Sequence, residues 1–492
     1  MNILLIYPRY PVTFWSFQHV LKYVSKKAAF PPLGLLTVAA MLPEDWNCRL
    51  VDLNVQALKD KDLMWADYVM ISAMLIQRES IHAVLKECRS FGKKVVAGGP
   101  FVNSMPEEYA YGIDHLILNE AESTLKPFLE DLRKGQPKKI YSASEFPELV
   151  QTPIPRWDLI DIRNYVTLSI QYSRGCPYDC EFCDITSLYG RRPRPKRAEQ
   201  FIRELQAIYD RGWRGTIFIV DDNFIGNRKE VRQLLREVIS WMRIHDYPFG
   251  FVTETSIHLA DDDETIHLMT EAGFDSVFIG LETPNEESLL ECSKNHNCRR
   301  DMVAAIKKLQ SAGLQVLGGY IVGFDHDDET IFSKQIKFIQ ETGVVAAMVG
   351  LLNALPGTRL WQRLKKENRL EGNASGSNTE LNFIPKMDRE KLIEGYRMLV
   401  RTIYTPRNLY QRICNFLDHY KPHPYKRKGM STAYKIAFLK SLFYNGVLGS
   451  GPSQWYYWKT LIKTVLQYPD SFPEAMALTI FGDHFRKIAR GI

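Results

Sequence analysis

The chain has 492 residues, 45% of them hydrophobic and 24% charged, and its formal net charge is +6. This length suits about two or three globular domains, and the mild charge gives no sign of a nucleic-acid-binding protein. Eight cysteines in this length do not make a disulfide scaffold, so we expect free thiols in a reducing, cytoplasmic compartment. The first residues, MNILLIYPRY, lack the layout of a signal peptide, and no run of about 18 apolar residues predicts a membrane-spanning helix.

The first domain is predicted over residues 1–145, where short apolar strands alternate with helices. Five strands of this kind are predicted at Asn2–Tyr7, Arg49–Leu53, Tyr68–Ala73, Lys94–Ala97 and His115–Leu118. The alternation predicts an α/β fold with a doubly wound, Rossmann-like parallel sheet, which binds ligands at the carboxyl ends of its strands. Met74 and Gln77 follow the third strand there, and Gly98 and Gly99 follow the fourth, where glycine lets a backbone approach a ligand closely.

A second α/β region is predicted over residues 160–370, after a proline-containing connector. Its six strands are predicted at Val166–Tyr172, Thr216–Val220, Phe249–Glu254, Ser276–Leu281, Val316–Val322 and Ala346–Leu352. Helical stretches fit between them, and six strand–helix units predict an open (β/α)6 partial barrel. Functional residues of such a barrel are expected at the carboxyl ends of its strands.

Three cysteines follow the first strand of this barrel. Cys176, Cys180 and Cys183 are spaced C-x3-C-x2-C in SRGCPYDCEFCDIT, and Phe182 stands directly before the last of them. Three thiolates at this spacing can hold three irons of a [4Fe–4S] cluster and leave the fourth iron open for chemistry. A zinc knuckle or three buried thiols would be the alternative, but zinc normally takes four ligands and no histidine or fourth cysteine lies nearby in the sequence.

This cysteine motif, placed after a strand, resembles the signature of the radical S-adenosylmethionine (SAM) enzymes. In that family the methionine part of SAM chelates the open iron, and the reduced cluster cleaves SAM to a 5′-deoxyadenosyl radical. The resemblance implies a SAM contact from Phe182 and an external electron donor such as flavodoxin or ferredoxin. Cys292 and Cys298 are too few to hold a second cluster, so we expect one cluster.

The ends of the later strands supply further candidates for SAM contacts. SAM is a cation with an amine, a diol and an adenine, so its site needs acceptor oxygens and close backbone approach. The candidates are Asp222, Glu254, Glu282 and Gly323, the last in a G-x-I-x-G strand that resembles the family's adenine-contact strand. The segment 221–223, Asp-Asp-Asn, departs from the Gly-Gly-Glu-like text usual in the family but keeps acceptor oxygens. Each carboxylate alone also fits a helix cap or a solvated turn.

Two charged runs are interpreted as structural. The run 261–263, Asp-Asp-Asp, is predicted to cap the helix that follows it. The basic run 191–197 can clamp a phosphate or a carboxylate, but it is better explained as a solvated loop.

Joined to the cysteine motif, the first region resembles the cobalamin-binding domain of the cobalamin-dependent radical SAM enzymes. The matching text is LLIYPR, PPLGLLTVAAML and VVAGGPFV. The resemblance implies that cobalamin contacts the loops that carry Met74, Gln77, Gly98 and Gly99. The chain has no D-x-H, the text whose histidine ligates cobalt in corrinoid domains of the methionine-synthase type. A bound cobalamin would therefore have a different lower axial environment, or the domain would be vestigial and hold no cofactor.

The predicted C-terminal region, residues 378–492, is mainly helical. Amphipathic helices are predicted over Asp388–Tyr404 and Asn408–Tyr420. The text NFIPKMDREKLIEGYRMLVRTIYTPRNLYQRI resembles the C-terminal extension of a subgroup that includes the bacterial hopanoid C-methylases. Residues 424–492 are rich in aromatic and basic side chains, which suits peripheral contact with a membrane surface. A helical layer packed on the barrel would fit this composition equally well.

The resemblance implies a cobalamin-dependent radical SAM C-methyltransferase that acts on an unactivated carbon of a small molecule or lipid, specifically a lipid such as a hopanoid. One SAM would methylate cobalamin, and a second SAM at the cluster would supply the radical that removes hydrogen from the substrate carbon. One alternative is a radical SAM enzyme that cyclises, oxidises or rearranges its substrate without methyl transfer. Another is a non-catalytic corrinoid-binding module, although the intact cysteine motif argues against it. An RNA-modifying enzyme fits less well, because no second cysteine cluster or RNA-binding appendage is evident.

Overall fold

Two six-stranded parallel sheets and a C-terminal group of helices make up the fold. The computed structural model describes residues 1–104, 106, 112–372, 379–423, 425 and 432–492. The order of elements confirms the predicted α/β class, with a Rossmann-like sheet first, a partial barrel second and a mainly helical region last. We propose 1–145, 160–370 and 378–492 as the domain boundaries; residue 378 itself lies outside the described residues.

The first sheet confirms all five predicted strands and adds a sixth of two residues. Its strands, from one edge to the other, are Asn47–Asp52, Asn2–Tyr7, Tyr68–Ser72, Lys94–Gly98, His115–Ile117 and Ile140–Tyr141. Every pairing is parallel. The helices of this region are Gln18–Val24, Leu33–Ala40, Asp60–Trp65, Arg78–Ser90, Pro100–Ser104 and Ala121–Arg133. The sheet is buried on both faces because alternate side chains of its apolar strands enter different cores, as Ile3 and Leu4 do.

The second sheet confirms all six strands of the predicted barrel. Its strands, in sequence order and in spatial order, are Leu168–Ile170, Thr216–Ile219, Gly250–Thr255, Phe274–Glu282, Gln315–Val322 and Ala347–Leu351. All are parallel. Within the described residues the first and last strands do not pair with each other, so the barrel is open. Its helices are Ile185–Tyr189, Ala198–Asp210, Arg228–Ile244, Asp263–Ala272, Glu286–Glu291, Met302–Ser311, Ile331–Thr342 and Arg359–Lys366.

The C-terminal helices pack against both of the preceding regions. Their bounds are Arg389–Ile403, Pro406–His419, Thr432–Ser441, Gly451–Gln467 and Phe472–Gly491, with a π-helical turn at Leu442–Val447. The helix Gln18–Val24 of the first region packs against the third and fifth of them, and the Tyr23 hydroxyl donates to Asp483 Oδ2 at 2.8 Å. In the described part of the chain, no helix is long and apolar enough to cross a membrane.

The predicted helix starts rest on short side chains that satisfy free backbone amides. Asp262 accepts a hydrogen bond from the Thr265 amide at 3.0 Å, which confirms the cap predicted within the run 261–263. Asp388 accepts from the Lys391 amide at 3.0 Å in the same way.

A buried ionic network joins the first sheet to the barrel. Arg174, beside the cysteine motif, pairs with Glu120 and Glu122, and Arg194 pairs with Glu120 from the other side. All four side chains are buried or nearly so. The prediction that 191–197 is a solvated loop is therefore wrong for Arg194 and for Lys196, because both side chains are buried. The carboxylates that balance these two charges come from other elements of the fold, so the run alone does not reveal them.

Candidate active site

A cavity of about 3050 Å³ is lined by residues from all three regions of the chain. An ordinary small-molecule pocket measures roughly 300–1,000 Å³, so this cavity has room for several ligands together. The carboxyl ends of the strands of both sheets open into it, as expected for folds of these two kinds.

The cysteine motif follows the short strand Ser173–Arg174 and enters a tight turn at Gly175. Gly175 has φ +94, and a Cβ there would lie 2.8 Å from the Arg192 carbonyl oxygen, so the turn requires glycine. The Asn223 amide nitrogen reaches Cys176 Sγ at 3.9 Å. The loop is thereby fixed on the barrel strands and does not project freely.

Salt bridges from outside the motif also hold the cysteine loop. Arg363 Nε donates to Glu181 Oε1 at 2.7 Å, and the Glu181 amide donates to the Cys292 carbonyl at 2.8 Å. Arg363 also pairs with Asp325 at 2.8 Å. Arg363 and Cys292 are positioning residues that the sequence did not reveal, since both lie more than a hundred residues from the motif.

The donor set of the loop suits an iron–sulfur cluster. Cys176, Cys180 and Cys183 are free, partly exposed thiols, and burial raises the pKa of each of them. Iron would hold them as thiolates, because metal binding displaces the thiol proton. Within the described ranges no three His, Cys, Asp or Glu side chains are grouped to hold one metal ion. In a cluster each thiolate binds a different iron, so three sulfurs need not converge on one point.

Two uncompensated carboxylates lie at the mouth of the barrel. Asp222 and Glu254 both line the cavity, and Asp222 Oδ2 is buried without a hydrogen-bond partner. Burial, followed by the negative charge of Asp221, raises the pKa of Asp222 to about 7. Burial, followed by the charges of Asp222 and Asp221, raises the pKa of Glu254 to about 8. Buried carboxylates that lack a positive partner favour a bound cation. SAM is such a cation, because it carries both a sulfonium and an ammonium group.

Asp221 does not share this role, because backbone and side-chain donors already occupy it. Its oxygens accept from the Tyr172 amide at 2.7 Å and from the Ser173 amide at 2.7 Å. Asp221 therefore ties the first barrel strand to the second and leaves Asp222 to face the cavity.

Glu282 lines the cavity beside Phe182, but its charge is already balanced. The Lys294 ammonium pairs with Glu282 Oε1, and it also lies 5.9 Å from the centroid of the Phe182 ring. Glu282 has φ +60, a backbone conformation that is unusual for a residue with a side chain and is common at functional sites. The sequence predicted Glu282 as a free acceptor, and nothing in it revealed Lys294 as the partner.

Gly323 and Gln77 are placed behind the cavity wall and are absent from its lining. The Gly323 amide donates to Asp327 Oδ2 at 2.9 Å, and a Cβ at Gly323 would lie 3.1 Å from Leu392. Gln77 is buried, and its amide nitrogen donates to the Pro8 carbonyl at 2.6 Å. Their structural roles are to shape loops, so their predicted cofactor contacts remain predictions.

The other cobalamin candidates face the cavity from the first sheet. Met74, Gly98 and Gly99 line it at the strand ends. Gly99 has φ +88, and a Cβ there would lie 2.5 Å from Ser72 Oγ. The glycine pair thus leaves a bare stretch of backbone, which suits the close approach of a large ring-shaped ligand.

Part of the interior of the barrel is an apolar chamber that belongs to the same cavity. Alternate residues of the barrel strands face inward, because side chains of a strand point to opposite faces in turn. The inward-facing apolar residues that line the cavity include Phe218, Val252, Phe278 and Leu317. Trp15 of the first region closes on them, with its ring centroid 4.8 Å from that of Phe278. The sequence carries one signal for this chamber, which is the alternation of side chains along the predicted strands.

The raised carboxyl pKa values predict opposite pH dependences for folding and for cation binding. Folding raises these pKa values above their unfolded values, so ionisation opposes folding. The cofactor-free chain should lose stability as the pH rises above the ordinary carboxyl range, about 4, and the loss should level off above about 7 and 8. Affinity for SAM should rise over the same window, by about tenfold, because the ionised carboxylates favour the cation. Denaturation midpoints and equilibrium dialysis with labelled SAM measure the two effects.

The matched variants for this prediction are amides of the same size. Asp222→Asn combined with Glu254→Gln should flatten both pH profiles. Asp263→Asn, at an exposed helix start, should leave both profiles unchanged. A SAM affinity that stays constant in the parent chain between about pH 5 and 7, where the ammonium of SAM keeps its charge, would contradict the assignment of these two carboxylates.

Family sequence models match all three regions of the chain. A B12 binding domain matches residues 24–129, the radical SAM superfamily matches residues 170–333, and a domain of unknown function matches residues 358–492. The chain is 35% identical over 416 residues to the hopanoid C-2 methylase of Rhodopseudomonas palustris, which covers 84% of this chain and 78% of that protein. It is 44% identical, with the same coverage, to an uncharacterised methyltransferase of Synechocystis.

Solved structures with the same fold include two radical SAM enzymes with cobalamin bound. OxsB with aqua-cobalamin bound has a TM-score of 0.64 at 15% identity, over 100% of this chain and 80% of that one. TsrM from Kitasatospora setae, with cobalamin and a [4Fe–4S] cluster bound, has a TM-score of 0.62 at 14% identity, over 100% and 99%. With its three-cysteine loop, its two sheets and its similarity to the hopanoid methylase, the chain belongs to the cobalamin-binding radical SAM enzymes, in the subgroup related to the hopanoid C-methylases.

Proposed function

We propose that the protein methylates an unactivated carbon of an apolar, polycyclic lipid such as a hopanoid. One observation carries this proposal: the apolar chamber of the barrel, Phe182 and Asp184 of the cysteine loop, and Gly98 and Gly99 at the edge of the first sheet all line a single cavity. A substrate in that chamber would lie between a radical source at the barrel mouth and a methyl source on the first sheet. Similarity to the hopanoid C-2 methylase supports the choice of lipid.

When bound, the cluster with SAM supplies a radical that abstracts hydrogen, and cobalamin supplies the methyl group. The overall reaction converts a substrate C–H bond to C–CH3. It consumes two SAM molecules and two electrons and gives S-adenosylhomocysteine, methionine and 5′-deoxyadenosine, which carries the removed hydrogen. An external electron donor such as flavodoxin or ferredoxin would supply the electrons, and a reducing cytoplasm would keep the thiols free.

The residues of the chain bind and orient the reactants. We assign Cys176, Cys180 and Cys183 as the iron ligands, and Asp222 and Glu254 as acceptors that hold the SAM cation. Phe182 and Glu282 complete the SAM side of the cavity. Met74, Gly98 and Gly99 form the surface for cobalamin, with Gln77 fixing the backbone of Met74 through a hydrogen bond of 2.8 Å.

The apolar chamber would exclude water from the reacting carbon. Phe218, Val252, Phe278 and Leu317 offer no proton or hydrogen-bond donor of their own, so they solvate a hydrocarbon well. A radical formed beside these four side chains meets hydrocarbon groups, which favours transfer of the methyl group over side reactions.

Product analysis with SAM that carries a deuterated methyl group tests this function. We expect the loaded enzyme to convert a hopanoid to a product that carries the whole deuterated methyl group in place of one hydrogen. Cys180→Ala under the same conditions should give no labelled product. An altered lipid without the label would instead indicate a cyclisation, an oxidation or a rearrangement and would overturn methyl transfer.

A further inference from the structure

The C-terminal helices expose an unusual concentration of large hydrophobic side chains. Eleven such residues are exposed between residues 434 and 466. They are Tyr434, Ile436, Leu439, Phe443, Val447, Leu448, Trp455, Trp458, Ile462, Val465 and Leu466. We call this set the apolar face. Elsewhere in the described chain exposed residues of this kind are scattered, which is normal for a protein surface, whereas a contiguous apolar patch marks an interaction site.

The apolar face is formed by regular stripes on two consecutive helices. On Gly451–Gln467 the exposed residues Trp455, Trp458, Ile462 and Val465 recur at helical spacing. The opposite side of that helix is the one buried in the protein, and its Thr464 is fully buried. A surface helix usually shows the reverse arrangement, with its apolar stripe inward. This helix therefore presents its apolar side for a partner outside the chain.

The second stripe lies on the preceding helix, and the π-helical turn between the two helices contacts both of them. Ile436, Leu439 and Phe443 are spaced three and four residues apart along Thr432–Ser441 and the π-helical turn that follows. Trp458 Nε1 donates to the carbonyl of Gly446 in that turn at 3.1 Å. This hydrogen bond ties the two stripes together into one surface.

The charge of this segment identifies the partner. Residues 419–469 contain no Asp or Glu but seven Lys and one Arg. Lys459 lies 4.8 Å from the ring centroid of Trp455, so positive charge flanks the apolar stripe. Tryptophan, tyrosine and lysine around an apolar stripe are typical of helices that lie in the interface of a bilayer with anionic lipids.

The cavity reaches the helix that carries the apolar face. Tyr434, Ala437 and Phe438 line the cavity, and Tyr434 is also 51% exposed to solvent. The helix Thr432–Ser441 thus has one side on the cavity and another side on the apolar face. A lipid that leaves a bilayer at this face would meet the cavity within the same helix.

We propose that the apolar face docks on the surface of an anionic lipid bilayer and that the cavity takes up its lipid substrate there. The docking stands on the exposed stripes and the charge, whereas the uptake rests on the proposed function. The helices lie on the bilayer and do not cross it, since none in the described chain has a span of sufficient hydropathy.

Flotation of the full-length, cofactor-loaded chain with vesicles tests the docking. The vesicles contain phosphatidylcholine with about one quarter phosphatidylglycerol, and a second set contains phosphatidylcholine alone. We expect the parent chain to float with the anionic vesicles and to bind the neutral set less. The triple variant Trp455→Gln, Ile462→Gln, Leu466→Gln should bind about tenfold less, because it removes exposed apolar area without touching the core.

The matched control removes exposed apolar side chains elsewhere. Met64→Gln, Ile244→Gln and Leu290→Gln are at exposed positions on the other two regions, and this triple variant should float like the parent. A parent chain that stays with neither vesicle type, or equal losses in the two triple variants, would overturn the proposal. The proposal would also be overturned if sedimentation showed a dimeric parent and a monomeric first triple variant, since a second copy of the chain would then cover the apolar face.

The same variants separate this proposal from the proposed function. Vesicle binding is measured without turnover, so docking can hold even if no lipid is methylated. If both hold, the first triple variant should methylate detergent-dispersed lipid at the parent rate and vesicle-borne lipid more slowly. Equal rates on vesicle-borne lipid for parent and variant would overturn uptake at this face.

Discussion

Replacing Cys180 by alanine is expected to remove the iron–sulfur cluster and all cleavage of SAM. Cys180 lies in a loop fixed by Gly175 and Glu181, so the chain cannot readily offer another thiolate at the same point. Two remaining thiolates do not hold a cubane cluster in place, and iron should fall from about four to less than about one per chain. Iron analysis and the visible absorbance of anaerobically purified protein measure the loss.

A matched cysteine outside the motif provides the control. Cys298→Ala removes a partly buried thiol. In the described chain, the one hydrogen bond of this thiol goes to the Lys294 carbonyl at 3.9 Å. This variant should keep the full iron content. A Cys180→Ala protein that kept its iron would show that another residue supplies the third ligand. Cys292 would be the first candidate, because its carbonyl accepts a hydrogen bond from the cysteine loop.

Glu120→Gln is expected to destabilise the folded chain by about 3 kcal/mol, because it leaves two buried guanidinium groups with too little negative charge. Arg174 would retain Glu122, but Arg194 would lose its carboxylate partner. Since these residues join the first sheet to the barrel, the loss should appear as a lower midpoint of urea unfolding in the cofactor-free protein.

An exposed ion pair serves as the comparison for this stability test. Asp161→Asn removes the partner of Arg163, which is 87% exposed, and such pairs contribute about 0–1 kcal/mol. A shift in midpoint for Glu120→Gln no larger than that for Asp161→Asn would contradict the structural importance of the network.

The strands were predictable because burial on both faces leaves a strong pattern. Five apolar runs of the first sheet and six of the barrel were confirmed. Ile140–Tyr141 escaped prediction because two residues are too short to show any pattern. The three-cysteine motif is also visible in the sequence, because its three cysteines are close together.

The parts of the site that the sequence did not predict depend on contacts between distant residues. Lys294 pairs with Glu282, and Glu120 pairs with the buried Arg194, and no local sequence pattern predicts either pairing. Gly323 matched a motif, but its amide is already bound by Asp327. The apolar chamber could not be predicted from strand alternation alone, because alternation does not say which face of each strand points into the barrel.

Metal analysis of the unaltered chain tests the central claim most directly. The chain is purified without oxygen and with iron, sulfide and cobalamin supplied, and iron and cobalt are then measured together. We predict about four irons and one cobalt per chain, because we assign one cofactor to the cysteine loop and one to the glycine pair of the first sheet. Four irons without cobalt would leave the radical SAM core intact and would contradict a methyl transfer that depends on cobalamin.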